Sequence, residues 1–104
     1  MAIKELLREE LGNSVRMERD YRRALVSLPR GSLVRKVIRG RPYYYLASRE
    51  GGRVRFKYKG KMDEKELAKY REAKKARVQY RRLLADVRKQ IRFLEKAIRA
   101  KQAV

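Results

Sequence analysis

The sequence predicts an α+β protein: an antiparallel helical hairpin with a three-stranded antiparallel β-meander inserted between its two helices. Three observations lead to this prediction. Leucines recur at helical spacing near the start, β-rich segments with glycine-containing turns fill the middle, and an uninterrupted heptad-like stripe runs toward the C-terminus. The 104 residues are the size of one domain, with segments 1–27, 28–62 and 63–101.

The first segment is predicted to be helical. Ile3, Leu7 and Leu11 are spaced by four, and a less regular apolar stripe follows. The Gly-Asn-Ser at 12–14 leaves open whether this is one helix or two, because glycine costs about 1 kcal/mol in a helix interior and serine caps helices well. The Leu-Pro-Arg-Gly at 28–31 is a turn signal that ends the helix.

The second segment is predicted to form the three strands. Residues 33–38 and 43–48 are rich in β-branched and aromatic side chains and are separated by a Gly-Arg-Pro turn. Gly51 and Gly52 supply the positive φ angles that a two-residue hairpin loop needs. The third strand follows directly after this loop.

The third strand has the clearest pattern in the sequence, because residues 53–59 alternate basic and apolar side chains without exception. With a two-residue loop, Glu50 lies opposite Arg53 and Tyr44 lies opposite Lys59. The bases and Tyr44 then share an outer face, whereas a longer loop would exchange the roles of the tyrosines. The inner face is expected to contain Tyr43, Tyr45, Ala47, Val54, Phe56 and Tyr58.

The third segment is predicted to be one long helix. Asp63 followed by Glu66 is a capping-box signature, and no proline or glycine follows. From Tyr80 onward the apolar residues are spaced alternately by four and three, which is a heptad seam that packs against a partner helix. We expect the first helix to cover this seam, and part of it to bury against another copy of the chain. The whole stripe comprises Leu67, Tyr70, Ala73, Ala76, Tyr80, Leu84, Val87, Ile91, Leu94 and Ile98.

Charge indicates the class of partner. The chain has 31 lysines and arginines against 12 acids, a formal net charge of +19, and residues 27–62 hold eleven bases and one acid, Glu50. Self-repulsion of this size opposes compaction, whereas neutralising phosphates releases condensed counterions and drives binding. We therefore predict that the partner is nucleic acid, either DNA or RNA.

Composition argues against an enzyme. The sequence contains neither histidine nor cysteine, so the usual acid–base, thiolate and zinc-binding groups are missing. We expect no catalysis, no metal and no cofactor. No apolar run approaches the roughly 18 residues of a membrane span, and we predict a cytoplasmic protein without a membrane partner.

The predicted site is a nucleic-acid surface with low sequence specificity. Phosphate contact is assigned to Arg53, Arg55, Lys57 and Lys59. The surrounding positive field is assigned to Arg35, Lys36, Arg39 and Arg41, and stacking on a base or sugar to Tyr44. Two alternatives remain open: the bases only protect the sheet edges from aggregation, or the chain is a coiled-coil subunit or adaptor that binds through its seam.

Four short motifs also carry a resemblance. They are Leu-Pro-Arg-Gly-Ser-Leu at 28–33, Gly-Arg-Pro-Tyr-Tyr-Tyr-Leu at 40–46, Gly-Gly-Arg-Val at 51–54 and Tyr-Lys-Gly-Lys at 58–61. From residue 28 to about residue 94 the chain resembles a family of short, basic, uncharacterised prokaryotic proteins. The tyrosine-rich hairpin is also similar to one near the N-terminus of some insertion-sequence transposases, and this likeness favours DNA as the partner.

Overall fold

The computed structural model describes residues 2–102. It confirms the predicted α+β architecture of two helices, of which the C-terminal one is long, and a three-stranded antiparallel sheet. The elements are α1 (Ile3–Ser27), β1 (Ser32–Ile38), β2 (Arg41–Glu50), β3 (Arg53–Gly60) and α2 (Glu64–Gln102). They form two compact units: one contains α1 and the part of α2 from Arg77 onward, and the other runs from Leu28 to Ala76.

Helix α1 is continuous, so the Gly-Asn-Ser sequence does not break it. Ser14 lies in the helix interior and is 2% exposed. Ile3, which the sequence placed on the apolar stripe, is instead 62% exposed. A heptad of half-buried and buried positions runs along the helix and includes three polar residues: Lys4, Leu7, Leu11, Ser14, Glu18, Tyr21 and Leu25.

In the first unit, α1 and the C-terminal part of α2 run antiparallel, as predicted. The ring of Tyr21 lies 6.2 Å from that of Tyr80, and Arg88 donates a hydrogen bond of 3.3 Å from Nε to Oε2 of Glu18. A later residue of α2 therefore contacts an earlier residue of α1, as expected for antiparallel helices. The core of this unit contains Leu84, Val87, Leu94 and Ile98, each between 4% and 8% exposed.

Helix α2 begins as its capping signature predicts. Oδ1 of Asp63 accepts a hydrogen bond of 2.8 Å from the backbone N–H of Glu66. About two turns after Glu64, Arg71 donates a hydrogen bond of 2.9 Å to the Glu64 carboxylate. All ten stripe positions from Leu67 to Ile98 are buried or half-buried, which confirms the predicted periodicity.

The sheet has the order β1-β2-β3, and its β2–β3 register matches the prediction from Glu50 opposite Arg53 as far as Leu46 opposite Lys57. The predicted pair of Tyr44 and Lys59 is wrong. A β-bulge between Tyr44 and Tyr45 places Gly60, not Lys59, opposite Tyr44. Gly60 has a φ of +72°, a left-handed conformation that glycine adopts readily and that is common at bulges. Lys59 therefore has no partner in the ladder.

Candidate nucleic-acid interface

The pairing register divides the strand residues between two faces, because directly opposed residues of antiparallel strands point to the same side. We call one side the cationic face. It holds Leu33, Arg35, Val37, Pro42, Tyr44, Leu46, Ser48, Glu50, Arg53, Arg55 and Lys57. We call the other side the tyrosine face. It holds Ser32, Val34, Lys36, Ile38, Arg41, Tyr43, Tyr45, Ala47, Arg49, Val54, Phe56 and Tyr58.

The cationic face carries a row of bases along β3. Arg53, Arg55 and Lys57 are exposed and recur every second residue, which in a strand is a spacing of about 6.7 Å. Arg55 forms an ion pair of 3.4 Å with Glu50. No carboxylate within residues 2–102 forms an ion pair with Arg53 or Lys57, so two cations of the row are not neutralised by the described part of the chain.

Tyr44 lies on the cationic face but is half-buried. Arg71 of α2 belongs to the same compact unit as Tyr44. The pKa of Arg71 is raised chiefly by its hydrogen bond to Glu64, and Tyr44 is near enough to make a smaller contribution. Tyr44 is therefore less accessible than Arg53, Arg55 and Lys57 of β3, which are exposed.

The predicted site residues do not form one surface. Arg35, Tyr44 and the first three bases of β3 share the cationic face, but Lys36 and Arg41 lie on the tyrosine face. Arg39 is in the turn between β1 and β2, with a φ of +53°. Lys59 lies in the bulge, outside the alternation of β3.

The tyrosine face was expected to be the inner face, and that expectation is wrong for β3. Val54 is 52% exposed, Phe56 is 63% exposed and Tyr58 is 57% exposed. An apolar alternation predicts that these residues share a face, but a helix must cover that face for it to become core. No element within residues 2–102 covers these three side chains, since each is more than half exposed.

An open depression of about 830 Å³ lies on the tyrosine face. The ring of Tyr58 lies 5.2 Å from that of Tyr45 and 6.4 Å from that of Tyr43, measured between centroids. Nζ of Lys36 lies 5.1 Å from the centroid of Tyr45, a cation–π contact. The depression is lined by Ile38, Arg39, Arg41, Tyr43, Tyr45 and Tyr58.

Sequence reasoning assigned these tyrosines to the core and so missed the depression. The signal was present in the strand alternation, which placed Tyr43, Tyr45 and Tyr58 together. The alternation carried no information about which face of the sheet stays exposed in the folded protein.

In the described range 2–102, no three acidic side chains converge as they would around a metal ion. Neither α1 nor α2 contains a stretch that is long and apolar enough to cross a lipid bilayer.

Comparison with known proteins places the chain in a family. No curated protein and no solved structure matches it. A family model described as "Domain of unknown function (DUF6788)" matches residues 2–69. The match spans α1, the whole sheet and the start of α2, so it includes the first helix, which lay outside the resemblance noted from the sequence motifs. Since it covers well over half of the sequence, this chain belongs to the DUF6788 family.

Proposed function

We propose that this is a cytoplasmic, non-catalytic protein that binds the phosphate backbone of nucleic acid through its cationic face, with low sequence specificity. The observation that carries the proposal is the exposed row along β3, in which Arg53 and Lys57 have no carboxylate partner among the described residues. Such a row is costly in self-repulsion and becomes favourable when phosphates release their counterions to it.

Low specificity follows from how these side chains are held. Base readout by arginine requires a guanidinium fixed in a plane for two parallel hydrogen bonds. Within residues 2–102, neither Arg53 nor Lys57 has a hydrogen-bonded neighbour that would fix its orientation. Side chains that no neighbour holds in one orientation suit phosphate contacts, which position a protein on nucleic acid without reading its sequence.

DNA is the ligand to test first, because the tyrosine-rich hairpin resembles that of some insertion-sequence transposases. RNA offers the same phosphate chemistry, so the two are compared directly. A structured RNA that binds more tightly than a DNA duplex of equal length would assign the surface to RNA.

The alternative proposal, a subunit or adaptor that binds through the seam of α2, is less well supported. Val87 is 4% exposed and Leu94 is 6% exposed in the chain alone, and α1 lies against this part of α2. A partner helix would have to displace α1 to reach them. The cationic face needs no such rearrangement.

The test is a pair of charge-reversal variants with equal effect on net charge. In R53E/K57E the two unpaired bases of the cationic face become acidic, and in K89E/R92E two exposed bases of α2 do so. Fluorescence anisotropy with a labelled 20-base-pair duplex measures affinity over a salt series. Because each lost phosphate contact removes about 0.9 from the salt slope, R53E/K57E should weaken binding about 60-fold at 0.1 M monovalent salt.

The control variant should bind the duplex within a few-fold of the wild-type affinity. Equal losses in the two variants would show that net charge alone drives association and that the cationic face is not a site. An absence of any salt-dependent binding by the wild-type protein would reject nucleic-acid binding altogether.

A further inference from the structure

We propose that the depression on the tyrosine face binds unpaired nucleobases, so that the protein holds single-stranded nucleic acid on the side of the sheet opposite the cationic face. The inference rests on the proposed function in that both surfaces recognise nucleic acid. It differs in the chemistry recognised, which here is the flat face of a base rather than a phosphate row.

The tyrosine face exposes two aromatic rings of β3. Tyr58 and Phe56 of β3 are both more than half exposed, whereas Tyr43 and Tyr45 of the neighbouring strand β2 are half-buried. Exposed aromatic side chains on a sheet are the usual stacking platform for single strands, because every base has a π-face. A duplex hides those faces in its own base stack.

The charge of the tyrosine face indicates the class of ligand that binds there. Lys36, Arg41 and Arg49 lie on the tyrosine face, and no aspartate or glutamate is found at any paired strand position of that face in the described sheet. An apolar protein partner would have to desolvate these unneutralised cations. A single strand brings both the rings that stack on tyrosine and the phosphates that neutralise the bases.

The depression has a size suited to a nucleobase. The volume of about 830 Å³ falls within the range of sites that hold a small-molecule-sized group. Lys36 already lies over the ring of Tyr45, so the exposed ring of Tyr58 is the principal stacking surface. Arg39 and Arg41 line the same depression, so two cations are available there to the phosphates of a strand whose base stacks on Tyr58.

The turn at Arg39 supports the same site. Its φ of +53° is a conformation that asparagine and glycine favour, and it costs arginine about 1 kcal/mol. A two-residue hairpin loop requires positive φ at both of its positions, here Arg39 and Gly40, so the turn itself accounts for this conformation. The same turn brings the Arg39 side chain to the lining of the depression.

The test uses Tyr58→Leu, which keeps an apolar side chain but removes the π-face, and Tyr58→Phe, which keeps the ring. Four labelled ligands are compared by anisotropy: a 20-nucleotide single strand as DNA and as RNA, an abasic strand of equal length, and the DNA duplex. The control is Phe93→Leu, since Phe93 is a similarly exposed aromatic residue, at 68%, on α2. Circular dichroism melting checks that each variant is folded.

We expect Y58L to weaken single-strand binding about tenfold. Y58F and F93L should bind like the wild type, and duplex and abasic-strand affinities should change less than twofold in every variant. Because the chain has no tryptophan, tyrosine emission gives a second readout that the base-bearing strand should quench and the abasic strand should not. Preference for the DNA or the RNA strand identifies the nucleic acid and supports the inference in either case.

The inference is overturned if the wild type binds the abasic strand as tightly as the base-bearing strand, or if folded Y58L retains full single-strand affinity. Either result leaves the proposed function standing, provided that R53E/K57E still weakens duplex binding. Loss of duplex binding in Y58L equal to its loss of single-strand binding would also overturn it.

Discussion

Nε of Arg55 lies 3.4 Å from Oε2 of Glu50, and both side chains are about two-thirds exposed, at 67% and 66%. An exposed ion pair of this kind contributes less than about 1 kcal/mol to stability. Its larger effect is on the cationic face, because Glu50 is the one acid among the described strand residues that share that face.

Glu50→Gln should therefore strengthen duplex binding. Arg55 becomes available to a phosphate, which adds up to about 0.9 to the salt slope and up to about eightfold to affinity at 0.1 M salt. Anisotropy over a salt series measures both quantities. Glu95→Gln, which makes the same charge change at an exposed position of α2, should have a smaller effect. Equal gains from the two variants would contradict a local role for Glu50.

Arg39→Asn should raise stability and lower single-strand affinity at the same time. Asparagine tolerates the left-handed conformation of this turn, so the hairpin should gain about 0.5–1 kcal/mol of unfolding free energy. The same change removes a cation from the rim of the depression. Urea unfolding and single-strand anisotropy measure the two effects, and a variant that gains stability without losing affinity would remove Arg39 from the proposed site.

Gly31→Ala should destabilise the protein more than Gly40→Ala does. Both glycines have positive φ angles, of +90° and +77°, which cost an alanine about 1–2 kcal/mol. At Gly31 an added Cβ would also lie 2.8 Å from the carbonyl oxygen of Ala47 and 2.9 Å from Cδ1 of Leu46, whereas at Gly40 nothing lies within 4 Å. Overpacking should add about 1–3 kcal/mol, and urea unfolding that finds equal losses would contradict the close approach.

Ser14→Leu should destabilise the first unit although it adds an apolar side chain at a heptad position. Ser14 is 2% exposed, so a larger side chain has no free space and should cost about 1–3 kcal/mol. Val15→Leu is the control, because Val15 is 47% exposed and should change the unfolding free energy by less than about 0.5 kcal/mol. A stabilised S14L variant would mean that the helices pack less closely there.

Much of this fold could be predicted from local patterns. The stripe of α2 was read correctly because its buried positions are occupied by apolar residues or alanine throughout. In α1 the same reasoning was right for Leu7, Leu11, Tyr21 and Leu25, which are half-buried, and wrong for Ile3 and Val15, which are exposed. It also missed Ser14 and Glu18, which occupy heptad positions on the packed face. A hydrophobic pattern does not identify the polar members of a packed helix face.

The candidate site shows a different limit. Alternation along β3 correctly divided its side chains between two faces, and the Gly51-Gly52 turn set their register. Which face becomes core depends on where a helix packs, and strand periodicity carries no information about that. The bulge had a local sign in the Lys-Gly pair at residues 59–60, since glycine near a strand end often marks such an irregularity.

The bulge also limits the length of the row of bases along β3. Because Lys59 leaves the ladder, the regular row ends at Lys57 and spans two steps from Arg53, or about 13 Å. Phosphates of one DNA strand advance about 3.4 Å along the helix axis, so this row covers about four base pairs. Oligonucleotides much longer than that footprint would gain only a statistical advantage from one copy of the sheet.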